Sequence, residues 1–247
     1  MNAPPETQLR LLDLQAADAD LDRLAHRRRT LPELALLAEL EERIARLDDA
    51  AAAAGTEDND LAKEQRRLEA DVDLVHSRAE RDRQRLDSGA VGSPRELENL
   101  QSELTSLRRR QDDLEEQVLA VMEAREEVQN RLAAIAADSA RQAAERTAAA
   151  ERCAASQEEI DRSAALRTSE RAMVAQELPS DLLTLYEKVR ADKGGIGAAA
   201  LQRGRCEGCH LSLSGQDIVM LRSAPPDQVV RCEECRRILV RTPESGL

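Results

Sequence analysis

The sequence predicts a mainly α protein: a long antiparallel coiled-coil helical hairpin, followed by a small C-terminal β unit organised by four cysteines. Three observations carry that reading. The 247 residues contain no Phe or Trp and a single Tyr, so the large aromatic side chains of a two-layer core, each burying roughly 150–250 Å², are missing. Ala, Leu, Glu and Arg dominate a composition that is 41% apolar and 34% charged, as long helices with a narrow buried seam require. Apolar residues recur every 3.5 positions or so through two long tracts, which argues against disorder.

The first tract runs from Thr7 to Leu86. From Leu37 its seam passes through Leu40, Ile44, Leu47, Ala51 and Ala54, then Leu61, Leu68, Val72 and Val75, with Asp58, Gln65 and Asp82 as polar exceptions. Leu9, Leu11, Leu12, Leu14, Leu21 and Leu24 extend the stripe upstream. Pro32 and Gly55 are expected to kink or loosen this arm.

A break at residues 87–94, with two Gly, a Pro and two Ser, marks the turn. Ser93 suits an N-cap, Pro94 the first helical position, and Glu96 completes a capping box. The second seam then reads Leu97, Leu100, Leu104, Leu107, Leu114, Val118, Val121, Val128, Leu132 and Ile135, with Gln111 and Arg125 as its polar members. It turns Ala-rich to about Ala155, and Cys153 falls on the same frame as a small buried helix residue. The seams alone allow either arm to pair with another molecule. The short turn and the matched arms, Thr7–Leu86 and Pro94–Ala175, favour pairing within the chain. The hairpin is therefore assigned to residues 1–177.

Residues 178–247 form the second predicted domain. A short helix over Asp181–Ala191 carries Leu182, Leu185, Tyr186 and Val189, and Gly194, Gly195 and Gly197 end it. Val229–Arg231 and Ile238–Val240 read as two strands of a hairpin, with a third strand near Leu211 and Leu213. Ser214–Asp217 caps a helical turn through Leu221 that Pro225 and Pro226 stop.

Cys206-Glu207-Gly208-Cys209 and Cys232-Glu233-Glu234-Cys235 are two C-x-x-C knuckles separated by 22 residues. Each such turn aims two thiolates at one centre, and two turns close a tetrahedral shell at about 2.3 Å from a metal. One structural Zn²⁺ held by Cys206, Cys209, Cys232 and Cys235 is the expected cofactor, with a rubredoxin-like iron as the competing metal. A thioredoxin-type redox motif needs one knuckle, not two facing ones. A domain of about 50 residues buries little surface alone, so zinc supplies much of its folding energy. His210 adjoins Cys209 but is expected on the surface, as are His26 and His76.

The N-terminus lacks a basic start and apolar run, and no stretch reaches the roughly 18 apolar residues of a membrane span. A cytoplasmic protein with no membrane attachment is expected. No phosphate loop, nucleophile elbow or His pair appears, and four Cys leave zinc no open position, so no enzymatic activity and no small-molecule substrate are expected.

Together these motifs resemble the bacterial C4-type zinc-ribbon proteins with an N-terminal coiled-coil hairpin. The likeness lies in Gly204-Arg205-Cys206-Glu207-Gly208-Cys209, in Cys232 through Val240, and in the restart from Ser93 to Leu104. Ribbons of that family usually carry Pro and Gly around the second knuckle, where this chain has Glu233, Glu234 and Arg236. The resemblance implies the same four zinc ligands, and a role as an adaptor or chaperone for protein partners or as a nucleic-acid-binding protein.

Charge bears on that choice. The chain holds 36 basic and 48 acidic side chains, a net of −12, concentrated in two acidic blocks of −7 each at residues 1–60 and 111–200. Arg203, Arg205, Arg231, Arg236 and Arg237, with Arg222 and Arg241, could meet phosphates, and Arg108, Arg109 and Arg110 form a second patch. Yet residues 201–247 total only +1, which Zn(Cys⁻)₄ turns to about −1. Stacking platforms for bases are also missing. A non-enzymatic adaptor for protein partners ranks first, and a nucleic-acid-binding ribbon with a regulatory role second. The seams are compatible with either a monomer or a larger assembly.

Overall fold

The computed structural model describes residues 1–89 and 91–247. The expected turn at 87–94 is thus described on both sides of Ala90, which lies outside the described residues. Where one arm was expected from Thr7 to Leu86 there are two helices, α1 (Pro5–Arg29) and α2 (Pro32–Asp87). The cause is Pro32, which offers no N–H and disfavours helical geometry at Leu31. Thr30 closes α1, its N–H reaching the carbonyls of His26 at 3.0 Å and Arg27 at 3.2 Å. Gly55 produces no break: α2 runs through it, since one glycine costs a helix only about 1 kcal/mol.

Helix α3 (Pro94–Gln176) begins at the predicted cap. The Glu96 N–H donates to Ser93 Oγ at 3.3 Å, while the Glu96 carboxylate accepts from the Gly92 N–H at 3.1 Å. The remainder comprises α4 (Ser180–Asp192), β1 (Ala198–Gln202), β2 (Arg205–Cys206), α5 (Gly215–Ser223), β3 (Val230–Arg231) and β4 (Ile238–Arg241).

The chain forms two compact units, Met1–Ala35 with Glu151–Leu247, and Leu36–Ala150. The boundary expected at residues 177–178 falls inside the first, because α1 packs against α4 and the sheet.

In the unit Leu36–Ala150, α2 and α3 run antiparallel. Ion pairs join Arg85 to Glu96, Arg78 to Glu103, Arg125 to Asp58, Arg131 to Glu57 and Arg146 to Glu41, so numbers rise on one helix as they fall on the other. The most buried seam residues are Leu40, Ala54 and Leu68 on α2 and Leu100, Leu114 and Val128 on α3. Each set repeats every two heptads, as a two-helix coiled coil should. The polar exceptions meet one another. Arg125 Nε donates to Asp58 Oδ1 at 3.0 Å and Nη1 to Gln65 Oε1 at 3.3 Å, and Gln129 Nε2 adds a bond to Asp58 at 3.0 Å. Such a polar patch in an apolar seam is satisfied in one register only.

In the other unit the strands form one sheet, in the order β2-β1-β4-β3. The central pair, β1 and β4, is parallel, with Ala198 opposite Ile238, and the two outer pairings are antiparallel. Alternation sends Ala198, Ile238 and Val240 to one face, against Leu11 and Leu14 of α1 and Leu182 and Tyr186 of α4. The opposite face presents Ala199, Leu201 and Leu239 to Leu213, Leu221, Cys206 and Cys232. The sheet thus separates a helical base from the cysteine site. Residues 1–3 pair along its margin: the Ala3 N–H donates to the Asp227 carbonyl at 2.7 Å and the Val229 N–H to that of Met1 at 3.1 Å.

Candidate metal centre

The two knuckles are built alike. In the first, the Cys206 N–H donates to the Leu211 carbonyl at 3.0 Å and the His210 N–H returns to that of Cys206 at 2.7 Å. In the second, the Cys232 N–H donates to the Arg237 carbonyl at 3.0 Å and the Arg236 N–H to that of Cys232 at 2.9 Å. Both turns close through a residue in left-handed conformation, His210 at φ 62° and Arg236 at φ 64°. Backbone N–H groups of Cys209 and Gly208 bond the Cys206 sulfur, and those of Cys235 and Glu234 bond Cys232. Gly208 has no substitute: a Cβ there would lie 2.8 Å from Arg237 Cδ and 2.9 Å from Ala199 Cβ.

The four Sγ atoms all lie within 4.8 Å of one another. Cys206 to Cys235 and Cys209 to Cys232 are each 3.9 Å. A tetrahedron with bonds of about 2.3 Å has edges of about 3.8 Å, so the spacing fits zinc and is far too long for a disulfide. Cys206 and Cys232 are buried and Cys209 and Cys235 half-buried. Burial pushes the Cys206 thiol up to about 12 and raises Cys232 as well. At Cys235 burial also pushes upward, but the Arg237 N–H and neighbouring side chains outweigh it and bring the thiol to about 7. Cys235 is thus the readiest thiolate, while Cys206 and Cys232 need a cation to compensate theirs. Bound there, zinc would serve as a structural cross-link between the knuckles, with no position left for a substrate. His210 is exposed, its Nδ1 3.8 Å from a Glu207 oxygen.

The arginines read as candidate contacts separate into distinct groups. Arg237 is half-buried and donates to three carbonyls, of Ile196 at 3.1 Å, Gly208 at 3.0 Å and Lys193 at 2.8 Å. It is a brace between the first knuckle and the loop after α4, and is not free for phosphate. Arg241 likewise donates to the carbonyls of Ala224, Pro225, Pro226 and Gln228. Arg231 bonds the Arg236 carbonyl at 2.7 Å, Arg236 pairs with Glu233 at 3.2 Å, and Arg222 reaches the Gly246 carbonyl at 3.3 Å. Arg203 and Arg205 are exposed beside the first knuckle, and Arg108, Arg109 and Arg110 are exposed on α3. The structure does not gather Arg108–Arg110 with the knuckles in one unit.

A second constellation supports the ribbon from below and was not singled out by pattern. The Asp18 carboxylate on α1 accepts from Arg171 Nε of α3 at 2.6 Å and from the Tyr186 hydroxyl of α4 at 2.7 Å. Arg190 Nε approaches it to 3.3 Å. Gln15, one turn earlier, accepts from the Gly197 N–H at 2.7 Å, at the entrance to β1. The available signal was positional: Asp18 occupies the stripe of Leu11 and Leu14, where a carboxylate must find partners.

Comparison with known proteins places this architecture. Residues 14–194 match the CT398-like coiled coil hairpin domain, and residues 205–239 match the C4-type zinc ribbon domain. An uncharacterised protein of Mycobacterium tuberculosis is 37% identical over 241 residues, 98% of each chain. A Mycobacterium smegmatis structure superposes with a TM-score of 0.87 at 36% identity, covering 98% of this chain and 100% of that one. The structure of CT398 from Chlamydia trachomatis shares the fold, with a TM-score of 0.73 at 19% identity over 96% of this chain and 98% of that one. The chain belongs to the family of CT398-like coiled-coil hairpin proteins that end in a C4-type zinc ribbon.

Proposed function

We propose that the protein is a non-enzymatic adaptor, chaperone-like in character, that holds protein partners through its hairpin and its zinc ribbon. The observation that carries this reading is the kind of surface the ribbon leaves outward. Leu211, Val219 and Met220 are each more than half exposed, while Arg237 and Arg241 are spent on backbone carbonyls. Val219 and Met220 are neighbours on α5, and exposed apolar side chains there favour protein contacts over a polyanion. Zinc acts as a folding device, and the protein works where it meets its partners, in the cytoplasm. No helix among the described residues is long and apolar enough to cross a membrane.

The test is reciprocal capture of partners from native extract with the wild-type chain, Cys206→Ser and Val219→Glu, identified by mass spectrometry. A partner retained by the wild type and lost by both variants is the expected result. Partners that bind all three equally would remove the ribbon from the account. A nucleic-acid-binding ribbon with a regulatory role is the second reading, and exposed Arg203, Arg205 and Arg108–Arg110 favour it. Gel shift against RNA and duplex DNA at low salt decides it: a shift that Arg203→Ala and Arg205→Ala abolish would promote nucleic acid above protein.

A further inference from the structure

Between α2 and α3, well away from the cysteines in sequence, the hairpin carries a groove of about 360 Å³ lined by Val72, Val118 and Leu119 with Glu69, Asp73 and Glu115. Two features set it apart from the rest of the seam. Leu119 is 61% exposed and Met122, one turn on, is 46% exposed, so the wall of the groove continues as an uncovered apolar ridge. The rim is acidic and lacks counter-charges. Nearby Glu64 and Asp71 are paired with Arg67, whereas Glu69, Asp73 and Glu115 form no ion pair among the described residues. Glu69 and Glu115 meet only the neutral amides of Gln65 and Gln111, at 2.8 and 2.7 Å. From Gln111 to Asn130, α3 bears seven carboxylates against one arginine, Arg125, which is committed to Asp58.

An apolar floor between two parallel ridges of helix is the seat that a third helix takes in a helical bundle, with apolar anchors at i, i+3 or i+4 and i+7. The charge of the rim selects the flanks of that helix. Lys or Arg beside its apolar stripe would face three carboxylates that have no cation of their own, whereas an acidic helix would be repelled. We infer that this groove docks a basic amphipathic helix of a partner protein, Leu-like side chains entering between Val72, Val118 and Leu119 and cations meeting Glu69, Asp73 and Glu115. The inference rests on the adaptor reading and names the hairpin's share of it. A second copy of this chain is a poor occupant, because its own middle segment repeats the same excess of carboxylates.

The probes are two synthetic 21-residue peptides with the same Leu heptad positions, one with Lys and one with Glu at the flanking sites. Each is titrated by fluorescence anisotropy against the full-length, zinc-loaded protein at physiological salt. The Lys peptide is expected to bind and the Glu peptide not. Leu119→Gln leaves the charge unchanged and should weaken the Lys peptide about tenfold. Leu166→Gln, an equally exposed position on α3, should not. The double variant Asp73→Lys, Glu115→Lys should reverse the preference, and circular dichroism melts verify that each variant remains folded. Equal binding of both peptides, or full binding by Leu119→Gln, overturns the inference. So does a wild-type chain that self-associates in sedimentation through Leu119, since the occupant would then be a second copy. If the peptides fail while ribbon-dependent partners persist, only the groove assignment falls; if both fail, the adaptor reading falls with it.

Discussion

The Asp18 carboxylate, 3% exposed on its side chain, receives the Arg171 guanidinium at 2.6 Å across the base of the hairpin. A buried charge of this kind is stable only while its partners remain. Replacing Asp18 by Ala would remove the anion that Arg171 and Arg190 share and leave them only the more exposed Glu187 and Asp22. Unfolding of the Met1–Ala35 and Glu151–Leu247 unit should become easier by about 2 kcal/mol, chiefly because the buried Tyr186 hydroxyl and the Arg171 guanidinium lose their acceptor. Urea denaturation followed at Tyr186, the chain's only Tyr in the absence of Trp, reports on this unit directly. A loss below about 1 kcal/mol would show that the cluster is not holding the base together.

Tyr186 should make the same unit sensitive to alkali. Its hydroxyl is held well above the ordinary tyrosine range, first by burial and then by its bond to Asp18. Because the folded value is the higher one, the folded state keeps its proton where the unfolded chain has lost it. The contribution is whole below about pH 10 and falls away as pH rises beyond that value. Thermal melts between pH 8 and 11 should decline in the wild type and decline less in Tyr186→Phe.

Zinc affinity should fall as the solution is acidified. Burial keeps the Cys206 thiol protonated up to about 12, so binding the metal must expel at least that proton. Each proton displaced makes the apparent affinity change about tenfold per pH unit. Competition with a chromogenic chelator at pH 6, 7 and 8 measures the slope, which a disulfide-linked or metal-free site would not show. In Cys206→Ser, zinc should be lost together with the packing of Leu213 and Leu221, while the helix signal of Leu36–Ala150 persists.

The left-handed residues that close the two knuckles offer a gain of stability. His210 and Arg236 each carry a side chain at a positive φ, a conformation that costs a residue with a Cβ roughly 1 kcal/mol. His210→Gly and Arg236→Gly should each slow zinc release, and His210→Val should speed it. No change in release rate would mean that neighbouring side chains relieve the strain.

Much of this was legible because it is written locally. The cysteine spacing, the Ser93–Pro94 restart and the 3.5-residue seams need only neighbours to be interpreted, and the structure has them as expected. Asp58, Gln65 and Arg125 were visible as faults in the seams, but not as partners, since nothing local states that residue 58 faces residue 125. Arg237 looked like one more ribbon cation because carbonyl acceptors leave no mark in a sequence. The Ala198–Gln202 strand has the composition of a helix, and it is burial between two layers that makes it a strand. Pro32 divided its arm and Gly55 did not, which follows from the lost N–H of one and the intact backbone of the other.

The bond from the Ala3 N–H to the Asp227 carbonyl joins residues more than two hundred positions apart. During synthesis the amino end leaves the ribosome long before its partner strand exists. Leu11 and Leu14 must wait equally long for Ile238 and Val240. A contact of such high sequence separation forms late and slowly. The Leu36–Ala150 hairpin can zip up while the chain is still being made, and α4 can already cover part of Leu11 and Leu14, whereas their sheet wall is missing until the second knuckle has been translated. Scarce zinc would therefore strand a nascent chain with a finished hairpin and half-covered leucines, an intermediate whose exposed apolar surface invites aggregation.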